Sequence, residues 1–360
     1  MAATMKQVVL AAYARGNPRP SDFRVEEVPV PRPGEREILL KTLYIAVDPL
    51  LRFSVDETVL TGAGRMELGQ PMVGPVVSEV AASNHPDYAP GDVVEGRSGW
   101  QEYAVLAPDR SDYRGPPRKL DPALAPVSTA LGALGGPGQT AYEGIVNVGR
   151  VKAGETVVIS AAAGAVGSIA GQIVKVLGGR AVGIAGGAAK CAALLDLGFE
   201  AVADYKAPDF ARQLQAAMPE GAEVYLDNVG GDVTMTVLPL LKRGARMPMC
   251  GFIAYYGVGM EGPGPDRLPG FYRLIMNKGL EIRGFAGMLA GQKGLEDIAR
   301  WMKEGASALR RPSRKASRRR LRPFPACFRG MTMSASCWCG WRRSVLPGLD
   351  RGPGRVQRSL

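Results

Sequence analysis

A single histidine and five cysteines among 360 residues leave little with which to hold a metal. A catalytic zinc takes a mixed Cys/His set, and a structural zinc commonly takes four cysteines. Here His85 sits in a polar loop, SNHPDY. Cys191 lies in an apolar helical pattern and Cys250 in a strand pattern, whereas Cys327, Cys337 and Cys339 lie near the C-terminus. No metal site is expected. The same scarcity excludes a disulfide scaffold and points to a reducing, cytoplasmic compartment. No run of about 18 apolar residues suggests a membrane span, and the opening MAATMKQVVL lacks a signal-peptide pattern. Alcohol oxidation is disfavoured too: it needs a Lewis acid or a base on the oxygen, and neither zinc nor a Ser-Tyr-Lys set is in view.

The formal charge of +11 invites a nucleic-acid partner, but its distribution argues otherwise. Residues 306–360 hold 14 of the 45 Lys and Arg and one of the 34 acids, so the rest of the chain is close to neutral. That tail is rich in Arg, Ser and Pro, has no helical or strand period, and yet contains Cys and Trp, which disordered tails avoid. Three readings stand: a disordered basic tail, an RNA-binding arm, or translation in the wrong frame. The arm lacks the interleaved aromatics of a stacking platform, so no nucleic-acid partner is expected. The genetic code favours the third reading. Cys337-Trp338-Cys339-Gly340-Trp341 must be encoded TGY-TGG-TGY-GGN-TGG. Read from each third base, the first two junctions give YTG and GTG, always Leu and Val; the next two give YGG (Arg or Trp) and NTG (an apolar residue), so the stretch can read as the strand Leu-Val-Arg-Val. A frameshift near Gly305 is inferred.

What is present is a dinucleotide-binding pattern. ETVVIS reads as a strand, Ala161–Gly167 (AAAGAVG) as a glycine-containing turn, SIAGQIVKVLGG as a helix and RAVGIAG as a second strand. Gly164 gives a pyrophosphate close access to the backbone, and Gly167 lets the helix pack closely. Ala163, Ala165 and Val166 complete the turn at a helix N-terminus, whose free N–H groups suit phosphate. Ala162 stands where the first glycine of the usual motif would be. An acid at the end of the second strand would bind an unphosphorylated ribose; none occurs between Gly183 and Cys191. Gly186 and Gly187 leave room for a 2′-phosphate and Lys190 can neutralise it, which favours NADPH over NADH. Taken alone, Lys190 is equally a solvated helix-start lysine.

Before this unit, QVVLAAY, REILLKTLYIAV, GPVVSEVA, GDVVEG and QEYAVL are short β-branched runs cut by Pro and Gly, as in a small, partly open barrel. After it, strands (AVADY, AEVYLDNV, ARMPMCGFI, LEIRGFAG) alternate with helices (DFARQLQAAM, VTMTVLPLLKRG, FYRLIMNK, LEDIARWMKEG). Alternation of that kind means a parallel sheet covered on both faces.

These segments resemble the zinc-independent medium-chain dehydrogenases/reductases, in particular the prostaglandin reductase and alkenal double-bond reductase group. The resemblance rests on VDPLLR, GWQEYAV, GGPGQTAYEGI, SAAAGAVGSIAGQIVK, LGFEAVADYK, YLDNVGG and MCGFIAYY, spread over residues 6–305. It implies an α/β chain with a GroES-like, partly open β-barrel domain (1–124), a doubly wound Rossmann domain (125–305) and a disordered or non-native tail (306–360). The shifted tail resembles the family's C-terminal ending, and in the written frame that ending's cofactor-contacting Asn is missing. The barrel domain would then lack its closing segment.

The resemblance implies NADPH-dependent reduction of the C=C bond of an α,β-unsaturated ketone or aldehyde. Tyr256 is then the hydroxyl that stabilises the enolate, with Tyr255 as the alternative donor. Lys190 and Tyr205 match positions that meet the 2′-phosphate, and Asn228 one near the nicotinamide ribose. Thr140 and Tyr142 match a helix bordering the cleft, and Cys250 and Phe252 match cofactor neighbours. Leu50 stands where many relatives carry a pocket tyrosine, which favours apolar substrates. Asp48 and Arg52 read as loop scaffolding. Quinone reduction is the nearest alternative activity, and homodimers are usual among relatives.

Overall fold

The computed structural model describes residues 3–57, 65–110, 115–256, 265–285 and 290–304, together with the backbone of 337–340. The first part is antiparallel. β1 (Thr4–Leu10) pairs with β2 (Phe23–Pro29). β3 (Ile38–Val47) pairs with β4 (Val76–Ser83) and β6 (Tyr103–Leu106), and β4 continues through β5 (Val93–Gly96) to β7 (Arg118–Leu120). Val8, Leu10, Ile45, Val47, Met72 and Trp100 make one of its cores. Leu51 and Val55 join that core from the short helix α1 (Leu51–Val55).

The second part is a six-stranded parallel sheet. In chain order its strands are β8 (Thr156–Ile159), β9 (Arg180–Ala185), β10 (Ala201–Asp204), β11 (Ala222–Leu226), β12 (Leu241–Met249) and β13 (Glu281–Gly284). In space they run β10-β9-β8-β11-β12-β13. The chain winds one way from β8 and the other way from β11, so the switch point lies between the carboxyl ends of those two strands. Alternate residues serve opposite faces. Val157, Ile159, Val224 and Leu226 point into one core, with α2 (Gly136–Tyr142), α3 (Ala165–Val176), α4 (Ala188–Asp196) and α8 (Gly291–Lys303). Val158 and Tyr225 point into the other, with α5 (Phe210–Ala217), α6 (Gly231–Val237) and α7 (Leu268–Lys278). Burial on both faces is why these strands read as unbroken apolar runs.

Three elements differ from the sequence reading. β2 and β7 were not anticipated: β2 has no buried residue, with Arg24, Val25, Glu27 and Pro29 exposed, and β7 is three residues long. VTMTVLPLLKRG is not one helix. α6 ends at Val237, a single tight turn follows over Leu238–Leu240, and β12 already begins at Leu241. Pro239 lacks the N–H that a longer helix would use.

Within the basic tail, only Cys337–Gly340 is described. It forms β14, antiparallel to β3, with Cys337 opposite Val47 and Gly340 opposite Tyr44. A ladder needs only backbone N–H and C=O groups, which this segment supplies without any strand period in its sequence. The rest of 306–360, and with it the reading of that stretch as a wrong-frame product, lies outside the described residues.

Helix α2 is held close to the preceding turn. A Cβ on Gly138 would lie 1.9 Å from the carbonyl oxygen of Ala133. Gly138→Ala must therefore move backbone. It is expected to cost about 1–3 kcal/mol and to lower the melting temperature by several degrees in a thermal scan.

Candidate active site

Ser160 follows β8 and Asp227 follows β11, so both lie at the switch point. From Ser160 the chain turns into α3. The left-handed residue of that turn is Ala161, with φ 49°, a conformation that favours glycine. Gly164 has φ −77° and ψ 175°, an extended backbone open to any residue. The glycine that packing demands is Gly167: a Cβ there would lie 2.6 Å from the Ala161 carbonyl oxygen and 2.7 Å from Ala162 Cα. Ala162 is buried, and its amide donates to the carbonyl of Ile184 at 2.9 Å. Ala163, Gly164, Ala165 and Val166 remain partly exposed at the start of α3. There the positive end of the helix dipole favours an anion.

Around the end of β9, Tyr205 lies against Gly186, where a Cβ would come within 2.7 Å of its ring. The tyrosine is 47% exposed, and Lys190 is exposed in the first turn of α4. An acid does reach this corner, from the neighbouring strand. Asp204 Oδ1 accepts from the amides of Gly187 and Lys206, both at 2.9 Å. These bonds, Gly187's first, hold its carboxyl below the usual range. A reading confined to β9 had no means of finding it.

At the switch point itself, Asn228 is tied to β8. Its amide nitrogen Nδ2 donates to the Ser160 carbonyl at 2.8 Å, and its backbone N–H donates to Ser160 Oγ at 2.8 Å. A bound ligand would thus meet the amide oxygen rather than the amide nitrogen. Thr140 Oγ1 donates within α2 to the Gly136 carbonyl at 2.8 Å. Tyr142 turns away to α8: its hydroxyl donates to Asp297 at 2.7 Å and its ring stacks on Trp301. Cys250 is joined by its amide to the Asp227 carbonyl, and burial, with Asp227 and Asp48 nearby, pushes its thiol up to about 12. Such a thiol is no nucleophile.

The two tyrosines of MCGFIAYY diverge. Tyr255 lies over the Gly230–Gly231 turn, with a Cβ on Gly230 placed 3.3 Å from its ring. Tyr256 is buried against the first domain. Its ring meets Phe53 of α1 edge-on at 4.5 Å and Phe252 at 5.2 Å. Phe252 is 49% exposed and Leu50 57%, so both offer apolar surface to solvent. Burial pushes the Tyr256 hydroxyl up to about 12, with Cys250 and Asp48 adding to the effect.

Arg52 does more than brace its loop. It is buried, donates to Asn17 Oδ1 at 2.5 Å and to the backbone carbonyl of Tyr256, and its guanidinium lies 5.9 Å from the Tyr256 ring centre. Asp48 accepts the amide of Leu50 at 2.9 Å, an Asx turn that starts α1. No local motif announces the bond from Arg52 to Tyr256, residues 204 positions apart.

Among the described residues no three His, Cys, Asp or Glu side chains gather to hold a metal ion. His85 is engaged with Asp109 at 3.0 Å in the first domain, remote in sequence from both described cysteines.

Two family descriptions match the chain: "N-terminal domain of oxidoreductase" over residues 6–112 and "Zinc-binding dehydrogenase" over residues 165–304. The NADPH-dependent curcumin reductase of Escherichia coli (strain K12) is 42% identical over 303 residues, covering 82% of this chain and 85% of that protein. Prostaglandin reductase 1 of Oryctolagus cuniculus is 35% identical, covering 83% of each. The crystal structure of CurA from Vibrio vulnificus in complex with NADPH superposes with a TM-score of 0.75 at 36% identity, covering 84% of this chain and 89% of that one.

Arg52→Met keeps most of the side-chain volume and removes the guanidinium. It leaves the Tyr256 carbonyl short of a donor, a loss of about 1–3 kcal/mol. The expected outcome is a lower melting temperature together with faster amide exchange over residues 252–256, read by mass spectrometry.

Proposed function

Because this chain belongs to the medium-chain dehydrogenases/reductases, in their zinc-independent prostaglandin and alkenal reductase group, we propose that it reduces the C=C bond of α,β-unsaturated ketones and aldehydes with NADPH. The observation that carries this reading is a buried, neutral tyrosine hydroxyl at the meeting of the two domains, walled by Phe53, Phe252 and Arg52. When bound, NADPH supplies a hydride to the β-carbon. The C=C electron pair then moves toward the carbonyl oxygen, and a proton reaches the α-carbon.

The protein's part is binding, orientation and a hydrogen bond. The N-terminus of α3 and the turn Ala163–Gly167 would hold the pyrophosphate. Gly186, Tyr205 and Lys190 would accept the phosphorylated ribose, and Asn228, Thr140, Cys250 and Phe252 would border the nicotinamide half. Tyr256 donates its O–H to the carbonyl oxygen, whose charge grows as the enolate forms. A hydroxyl raised to about 12 stays protonated at neutral pH and keeps its hydrogen to donate. Leu50 adds apolar surface for the substrate's tail. No helix among the described residues is long and apolar enough to cross a membrane. We read the working form as a homodimer, to be checked by sedimentation. The tail we read as a wrong-frame product, to be checked by sequencing the coding DNA around the Gly305 codon.

NADPH oxidation with a medium-chain alkenone, compared with NADH and with a quinone, tests the reaction. Absence of enone turnover both by the chain as written and by one carrying the frame-corrected tail would sink it. Tyr256→Phe is expected to lower kcat about 10- to 100-fold while NADPH affinity holds within a few-fold.

A second test uses pH. The raised value extends the protonated, donating form upward, so the Tyr256-dependent part of the rate is expected to hold from pH 7 to 10. A falling limb centred at or below the ordinary tyrosine value near 10 would contradict this.

A further inference from the structure

Asp227 is a carboxylate with 1% exposure at the switch point, and the reaction proposed above gives it no task. Five donors converge on it. Oδ1 accepts from Val229 N at 2.9 Å, Gly230 N at 3.0 Å, Ser160 Oγ at 3.1 Å and Tyr225 Oη at 2.9 Å. Oδ2 accepts from Thr234 Oγ1 at 2.6 Å. So much acceptance at one buried group fixes its surroundings. The main chain extends the pattern. The Asp227 carbonyl accepts from the amides of Cys250 and Gly251, the Asn228 carbonyl from Ile253 and the Val229 carbonyl from Ala254. The 250–256 segment is thus laid on the 227–229 segment, and the Asp227 carboxylate sets the shape of the latter.

We propose that Asp227 is the positioning residue for both ends of the reacting site, holding Asn228 against Ser160 and, through the paired loops, the hydroxyl of Tyr256. It touches no reacting atom in this scheme. The observations that carry it are the five donors and the four inter-loop bonds, together with two left-handed glycines, Gly230 (φ 72°) and Gly231 (φ 59°), that bend the loop back over the carboxylate. This inference rests on the function proposed above.

The test compares Asp227→Ala, Asp227→Asn and Ile173→Ala in the full chain. Ile173 is a fully buried core residue on α3 with no part in the site, so its variant reports loss of stability alone. Amide exchange in the nucleotide-free proteins is read over 227–231 and 250–256, NADPH binding by fluorescence titration, and kcat and KM with an enone. Asp227→Ala is expected to speed exchange in both segments at least tenfold, to weaken NADPH at least tenfold, and to lower kcat by more than it raises the enone KM. Asp227→Asn, which keeps one acceptor oxygen, falls between this and the parent. An Asp227→Ala protein that matches Ile173→Ala in all three readouts overturns the proposal. A parent chain that binds no NADPH counts against the function instead, and the exchange comparison still decides the role of Asp227.

Discussion

A carboxylate deprived of water must find its hydrogen bonds inside the protein. Asp227 meets that demand by drawing in the turn that follows it, the end of β8, and the side chains of Tyr225 and Thr234. Much of the site's geometry follows from this local settlement. Val158 and Tyr225 face the same core, which brings the Tyr225 hydroxyl to the foot of α6, where Thr234 waits. The paired loops then continue outward from the sheet, and Tyr256 comes at their end.

Tyr256 is fixed a second time from the other domain. Phe53 meets its ring, and Arg52 binds its carbonyl and stands near its face. One loop is therefore clamped between a buried anion on its own side and a buried cation on the other. The aromatic wall keeps water from the hydroxyl and raises it, while Arg52 and the Phe252 backbone pull it partly back. A donor that remains protonated, rather than a base, is the chemical result.

The legible part of the fold was the part governed by local pattern. ETVVIS, RAVGIAG and the helix between them follow from apolar runs and a small-residue turn, and five of the seven strands of the first domain from β-branched stretches between Pro and Gly. β2 and β7 escaped because one is half polar and the other too short to show a period. Within the site, the order of the tyrosines, glycines and Lys190 could be read from the chain. What each touches could not. Asp204 enters from the next strand, Arg52 crosses between domains, and Tyr142 leaves for α8. The turn was read correctly at Gly167, where packing does ask for glycine, whereas the left-handed backbone at Ala161 was not foreseen.

The bond from Arg52 to the Tyr256 carbonyl has a mechanical side. It joins the halves of the molecule through the backbone of Tyr256 itself. Any motion that parts the two halves at this point strips Tyr256 of its cation and of its aromatic neighbour Phe53 in the same stroke. On the function proposed above, the parted molecule is a chemically silent one.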